Sequence, residues 1–446
     1  MSKQPVPQPS NRHKKLLALA LPMILSNITV PLLGLVDTAV IGHLSDAAYL
    51  GGVAVGSTII TLMLWLMGFL RMSTTALVAQ GFGRRDNPAQ LQILLQSSLI
   101  ALFLGALFLL LQWPVWQLAM QFNDASNDVV QYGHAYFSVR IWGTPFALLN
   151  MVLLGWLMGR QQPKAAMWQL IITNSVNIAL DLLFVVGFGW GVKGAALASV
   201  IADIISTLVA LLIVKNALSY LGNIAIKPLL AALKLVDFSR LLRLNRDIFI
   251  RSLFLQLTFA FITFAGASLG DNTVAANAVM LNLLLLISYA LDGIAYYAEA
   301  EVGRAAGEHN YPELYATVSL AFKWSAAIAL LFSLAFWLEG DGLIRLLTSI
   351  DDVVLAATAL RPWLVVLPIL SFGCYLFDGV FIGAAKGHTM RNSMMIASLL
   401  VFAPLWWFSQ SWHNQGLWLA LAGFMLARSV TLGGYYLWRR ERFLEP

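Results

Sequence analysis

The chain has 446 residues, of which 59% are hydrophobic and 11% charged, and its formal net charge is +6 at pH 7. Soluble domains carry about 25% charged residues, so a soluble enzyme or binding module is excluded and an integral membrane protein is indicated. The single cysteine, Cys374, lies in an apolar stretch, which excludes disulfides and cysteine-rich metal sites.

Residues 1–15 are polar and basic. The apolar run that follows is too long for the core of a cleaved signal, although Ala18-Leu19-Ala20 mimics a cleavage site. The segment therefore reads as a cytoplasmic tail ahead of a retained first helix. Apolar runs of spanning length fall at 16–44, 50–79, 91–111, 132–158, 165–187, 194–214, 248–269, 274–298, 314–338, 353–383, 392–410 and 416–438. Turn signals part them at Gly83-Arg84-Arg85-Asp86-Asn87-Pro88, at Gln161-Gln162-Pro163-Lys164 and at Gly387-His388. With the N-terminus inside, 24 of the 28 lysines and arginines fall on the inner side and only Lys193, Arg345 and Arg361 on the outer. That bias places both termini in the cytoplasm. It also makes the positive charge an orientation signal, so no nucleic-acid partner is expected.

The expected fold is an all-α polytopic membrane protein. It has an N-lobe at 16–218, a cytoplasmic linker at 219–247, a C-lobe at 248–438 and a cytoplasmic tail at 439–446. In the linker, Leu229, Leu230, Leu233, Leu235, Leu241 and Leu242 alternate with Lys234, Arg240 and Arg243. This suits an amphipathic helix on the inner leaflet; a solvated linker is the alternative for its first part.

Shifted by about 225 residues, the chain matches itself weakly. The loop from Gly83 to Leu91 resembles Gly307 to Tyr315, and Gly155-Trp156-Leu157-Met158-Gly159 falls on Gly379-Val380-Phe381-Ile382-Gly383. Each half has six spans and starts from the same side, so the halves form two six-helix bundles in a parallel repeat, an arrangement that suits alternating access.

The polar residues inside these runs are the candidate site. Asp37 is the only charged residue between Leu16 and Leu44, and a carboxylate in hydrocarbon costs at least ~2.5 kcal/mol. Asn27, Pro31, Gly34 and Asp37 share roughly one helix face, and Pro22 and Pro31 each favour a bend. The plainer alternative is a packing kink with an acid reaching the outer interface. In the fifth run, Asn174, Asn177 and Asp181 line one face, as a hydrogen-bonded proton site would require; interhelical packing by the amides is the alternative. Ser199 and Asp203 lie in the sixth run; Ser199 is expected first as a small residue at a helix contact, with a hydrogen bond toward the fifth as the alternative, and Asp203 has no assigned partner. Arg140, in the fourth run, could pair with an acid or anchor at the outer headgroups, and the anchor is the expectation. In the second half, Asp292 and Asp378 sit deep enough to line a cavity, whereas Glu299 and Glu301 are expected at the exposed inner end. The seventh run has no acid between Arg251 and Asp271. There is no Walker sequence and no histidine cluster of metal-ligand spacing. No metal, cofactor or enzymatic activity is expected, and the energy source is an ion gradient or a partner.

Several of these segments resemble the multidrug and toxic compound extrusion (MATE) family: Pro22 through Val36-Asp37-Thr38-Ala39 to Gly42-His43-Leu44, the Gly81-Phe82-Gly83-Arg84-Arg85-Asp86 loop, Arg140 to Pro145, and Asn177 with Asp181. The similarity covers nearly the whole chain and is closest to the DNA-damage-inducible F branch of bacterial members. It implies two bundles about a V-shaped cavity in the bacterial inner membrane, and a chain that acts as a monomer. It further implies Asp37, Asn177 and Asp181 as the proton-coupling set, Ser199 as a supporting hydroxyl and Pro22 at a first-helix bend. Sodium-coupled members use a seventh-helix glutamate with a tenth-helix aspartate. Asp378 matches the latter and the former is missing, which favours coupling in the first lobe. The expectation is a proton-coupled antiporter, with sodium as the other possible ion, exporting organic cations or amphipathic compounds. A lipid-precursor flippase and, further off, a passive channel are the alternatives.

Overall fold

The computed structural model describes residues 9–42, 47–121, 126–219 and 238–444, and these are helical without strands. Ten described stretches are long and apolar enough to cross a membrane. The last of them, Gly387–Trp438, is broken by a tight turn at Gln410–Trp412 into two crossings. Helix α1, Pro9–Gly42, is 34 residues long, about 51 Å at 1.5 Å per residue, and supplies one more. The described part of every apolar run is thus helical.

The first half continues with α2 (Ala47–Leu66), α3 (Phe69–Gly83), α4 (Asn87–Leu110), α5 (Gln112–Met120), α6 (Asn127–Arg140), α7 (Thr144–Gly159), α8 (Pro163–Asp181) and α9 (Gly191–Ser219). The second holds α10 (Ser239–Ser268), α11 (Asp271–Gly307), α12 (Tyr311–Leu347), α13 (Asp351–Thr358), α14 (Arg361–Gly383), α15 (Gly387–Met395), α16 (Ala403–Ser409) and α17 (His413–Trp438). The tenth run is two helices rather than one, because Pro362 restarts the chain at the head of α14. The end of the expected linker is the first turns of α10, where Leu241 is buried and Leu242 exposed; residues 220–237 of that linker lie outside the described part.

The repeat is written into the turns. Arg85, Gln161, His309 and Ala385 all have positive φ, and His309 and Ala385 lie 224 positions after Arg85 and Gln161. At each, the next amide reaches back to the carbonyl five residues earlier: Asp86 to Gly81, Gln162 to Leu157, Asn310 to Ala305 and Lys386 to Phe381, all at 2.9 Å. These are Schellman closures, which satisfy carbonyls that the helix end would leave bare. Asp86 and Asn310 then cap α4 and α12 by accepting from the amides of Ala89 and Glu313.

Helix packing repeats as well. A Cβ at Gly155 would lie 2.5 Å from the Arg71 carbonyl oxygen, and one at Gly159 would lie 2.8 Å from that of Thr75. In the second half, Gly379 and Gly383 stand in the same relation to Ala295 and Glu299, at 2.3 and 2.5 Å. Only glycine lets these backbones approach so closely, as small-xxx-small contacts in membranes do.

The chain forms two compact units, Leu25–Leu242 and Met1–Ile24 together with Arg243–Pro446. The first is built around buried Leu148, Val152, Leu153 and Trp156. The second is built around Met280, Leu283, Phe336, Leu364, Trp418 and Phe424. Helix α1 belongs to both, because the division falls between Ile24 and Leu25, two residues beyond Pro22.

Candidate functional site

Helix α8 carries the first unit's polar face. Pro163 starts it, and Asn174, Asn177 and Asp181 follow along one side. Asn177 and Asp181 are buried, at 5% and 2% exposure. The Asn174 amide donates to Thr29 Oγ1 of α1 at 2.6 Å, and the Asn177 amide donates to Ser199 Oγ of α9 at 2.9 Å. One turn before Asn177, Thr173 donates to Ser206 of α9 at 2.6 Å. The face is thus laced to α1 on one side and to α9 on the other. Asp181 is the last residue of regular α-helix before a widened π turn at Leu182–Gly187, a feature frequent at functional sites.

The structure brings Asn174, Asn177, Asp181 and Ser199 into one unit, with Ser199 bonded to the fifth-run helix. Pro22 is a buried residue of α1. Pro31 and Asp37 lie on the same helix, but their side chains fall outside the described residues.

Arg140 does not anchor at the headgroups. Its guanidinium pairs with Asp203 at 2.9 Å, and both side chains are nearly buried. Gly143 makes room for the pair: a Cβ there would meet Arg140 Nη1 at 2.5 Å and Asp203 Oδ2 at 3.2 Å. Asn150 donates to the Asp203 carbonyl at 3.0 Å and accepts from Thr207 at 3.1 Å.

In the second unit Asp378 is held by two arginines. Arg251 of α10 lies in close contact with its Oδ2, and Arg428 of α17 donates to the same oxygen at 2.6 Å. All three residues are buried. Asp292 is half-buried with the Ser288 hydroxyl 3.5 Å away. Glu299 and Glu301 are not exposed at the inner end, as each is at 1%. Glu301 instead binds Lys15 at 2.7 Å and Arg304 at 2.9 Å. Sequence reasoning missed the roles of Arg251 and Arg428. One signal was available: Arg428 lies 225 positions after Asp203, so the two halves place charges of opposite sign at related points of their sixth helices. Among the described residues no three histidine, cysteine or acidic side chains group as metal ligands.

The profile of the MatE family matches the chain over residues 22–183 and again over 248–408, once in each half. "DNA damage-inducible protein F" of Escherichia coli (strain K12) is 45% identical over 435 residues, 97% of this chain and 93% of that protein. "Multidrug resistance protein MdtK" of Klebsiella pneumoniae (strain 342) is 30% identical over 39% of this chain and 38% of that one. Among solved structures, the "outward-facing conformation of a multidrug resistance MATE family transporter of the MOP superfamily" superposes with a TM-score of 0.86 at 21% identity, covering 97% of this chain and 96% of that one.

Proposed function

We propose, from the premise that the chain belongs to the MatE family, that it is a proton-coupled exporter of organic cations and amphipathic compounds. The reading places it in a bacterial inner membrane with both termini cytoplasmic. The observation that carries it is the contrast between the two units' buried acids. Asp181 is buried at the end of the α8 face whose amides, Asn174 and Asn177, are bonded to hydroxyls, whereas Asp378 is matched by two guanidiniums. A carboxylate already paired with fixed cations has little capacity left for a travelling proton or sodium ion. A buried carboxylate not committed to such a pair gains and loses charge with its proton, at a cost set by burial, and the proposal gives Asp181 that part.

In the proposed cycle, protonation from outside removes the charge of the first-unit carboxylates, Asp181 and Asp37. Asn177, held by Ser199, and Asn174, held by Thr29, then repartner, and α1 shifts against α8 to release substrate. Deprotonation towards the cytoplasm restores an anionic face that attracts the next cation. Flipping a lipid precursor would call for cationic side chains able to hold a phosphate, but Arg140, Arg251 and Arg428 are each engaged by a carboxylate.

The test is transport of a fluorescent organic cation in proteoliposomes under separately imposed gradients. A proton gradient is expected to drive accumulation and a sodium gradient alone is not. Accumulation driven by sodium and indifferent to pH would overturn proton coupling, and equilibration without accumulation would make the protein a passive channel.

A further inference from the structure

Helix α1 is shared between the two units, and its parts in the two are fastened differently. Its first turns present Leu16, Leu19, Ala20 and Met23 on one buried stripe, with the spacing of a single helix face. Ile24 fills the space left by the absent side chain of Gly293 on α11, where a Cβ would lie 2.1 Å from Ile24 Cγ1. Three polar contacts reinforce this seat. Arg12 binds Glu313 of α12 at 2.8 Å. Lys15 binds Glu301 of α11 at 2.7 Å. The Trp324 indole N–H donates to His13 Nδ1 at 3.2 Å. Glu301 is the central member, because it is buried and its other oxygen accepts from Arg304, which also binds Glu308. Beyond the division the helix is tied to the first unit through Thr29 and Asn174. Fourteen residues separate Lys15 from Thr29, about 21 Å along one continuous helix.

We propose that Glu301 and Glu313 are positioning residues for transport. By gripping Lys15 and Arg12 they make residues 9–24 a working part of the second unit. A rearrangement at the α8 face then reaches that unit as a displacement along α1. Glu301 is buried with one oxygen on Lys15 and the other on Arg304, so releasing Lys15 would strand a buried carboxylate oxygen; the grip therefore lasts through the cycle rather than opening as a gate. Mechanical coupling of this kind needs a helix tied to both units, and α1 is tied at Lys15 and at Thr29.

The inference rests on the export reading, and the experiment separates the two. Lys15→Met combined with Arg12→Met is compared with Lys15→Arg combined with Arg12→Lys, in proteoliposomes containing the full chain. Proton-driven accumulation of a fluorescent cation in the Met pair is expected to fall about 10-fold, the size of a typical coupling loss. Substrate exchange at equal concentrations stays near wild type, and the Arg/Lys pair keeps both activities. A Met pair that accumulates like wild type, or that loses exchange together with accumulation, overturns the proposal. A wild type that never accumulates overturns the export reading instead. As an independent measurement, Arg12→Cys with Glu313→Cys is joined by a short bifunctional thiol reagent, the native Cys374 being buried. The joined protein is expected to transport as before. Failure to join, or arrest of transport on joining, contradicts a grip that persists through the cycle.

Discussion

At the scale of single residues, the buried charges divide into those that hold helices and those that the proposed cycle uses. Arg140 with Asp203, and Asp378 with Arg251 and Arg428, belong to the first kind. Removing one partner of a buried pair strands the other, at a cost of about 3–5 kcal/mol, whereas replacing both with apolar groups is often neutral. Arg140→Met is therefore expected to lower the unfolding temperature in detergent strongly, and Arg140→Met with Asp203→Leu to recover most of the loss. Equal destabilisation by single and double variants would contradict the pairing. Asn177 and Ser199 were legible in the sequence because an amide and a hydroxyl on neighbouring apolar helices have few other partners. Arg140 was not, because a basic residue near a helix end reads equally as a headgroup anchor. Only the three-dimensional approach of α6 to α9, opened by Gly143, decides between them.

At the scale of elements, the helices were legible nearly to their ends, because spans of this length need about 20 apolar residues and the turns carry proline and asparagine in fixed places. The exceptions are local. The split between α13 and α14 hides inside one apolar run, where Pro362 is the only mark. The widened turn after Asp181 has no periodicity signal at all. The glycines at 155, 159, 379 and 383 were visible as a repeat, but their purpose emerged from the distances to facing carbonyls. Gly379→Ala places a methyl carbon 2.3 Å from the Ala295 oxygen, and such overpacking costs about 1–3 kcal/mol. Gly434→Ala meets nothing within 4 Å. The first variant is expected to lose folded protein on size-exclusion chromatography after mild heating while the second matches wild type. Equal behaviour of the two would show that α11 and α14 do not pack through this glycine.

At the scale of the whole molecule, a duplicated architecture carries unequal chemistry. The two units share turns, caps and glycine contacts at one offset, yet the first carries Asp181 on the α8 face of Asn174 and Asn177 and pairs Asp203 with one arginine, while the second holds Asp378 between two arginines. Duplication supplies the frame for alternating access, and the proposed function puts the travelling ion in the first unit. The seventh run's lack of an acid hinted at this in the sequence. The arginines that complete the argument, Arg251 and Arg428, read there only as orientation signals. The central claim is that the α8 carboxylate couples the proton to export. It is tested most directly by comparing wild type, Asp181→Asn and Asp378→Asn at matched protein density in proteoliposomes, measuring accumulation of a fluorescent cation under an imposed pH gradient. The account predicts accumulation by wild type and its loss in Asp181→Asn, with any defect of Asp378→Asn appearing as lowered stability of the folded protein. Wild-type accumulation by Asp181→Asn would contradict it.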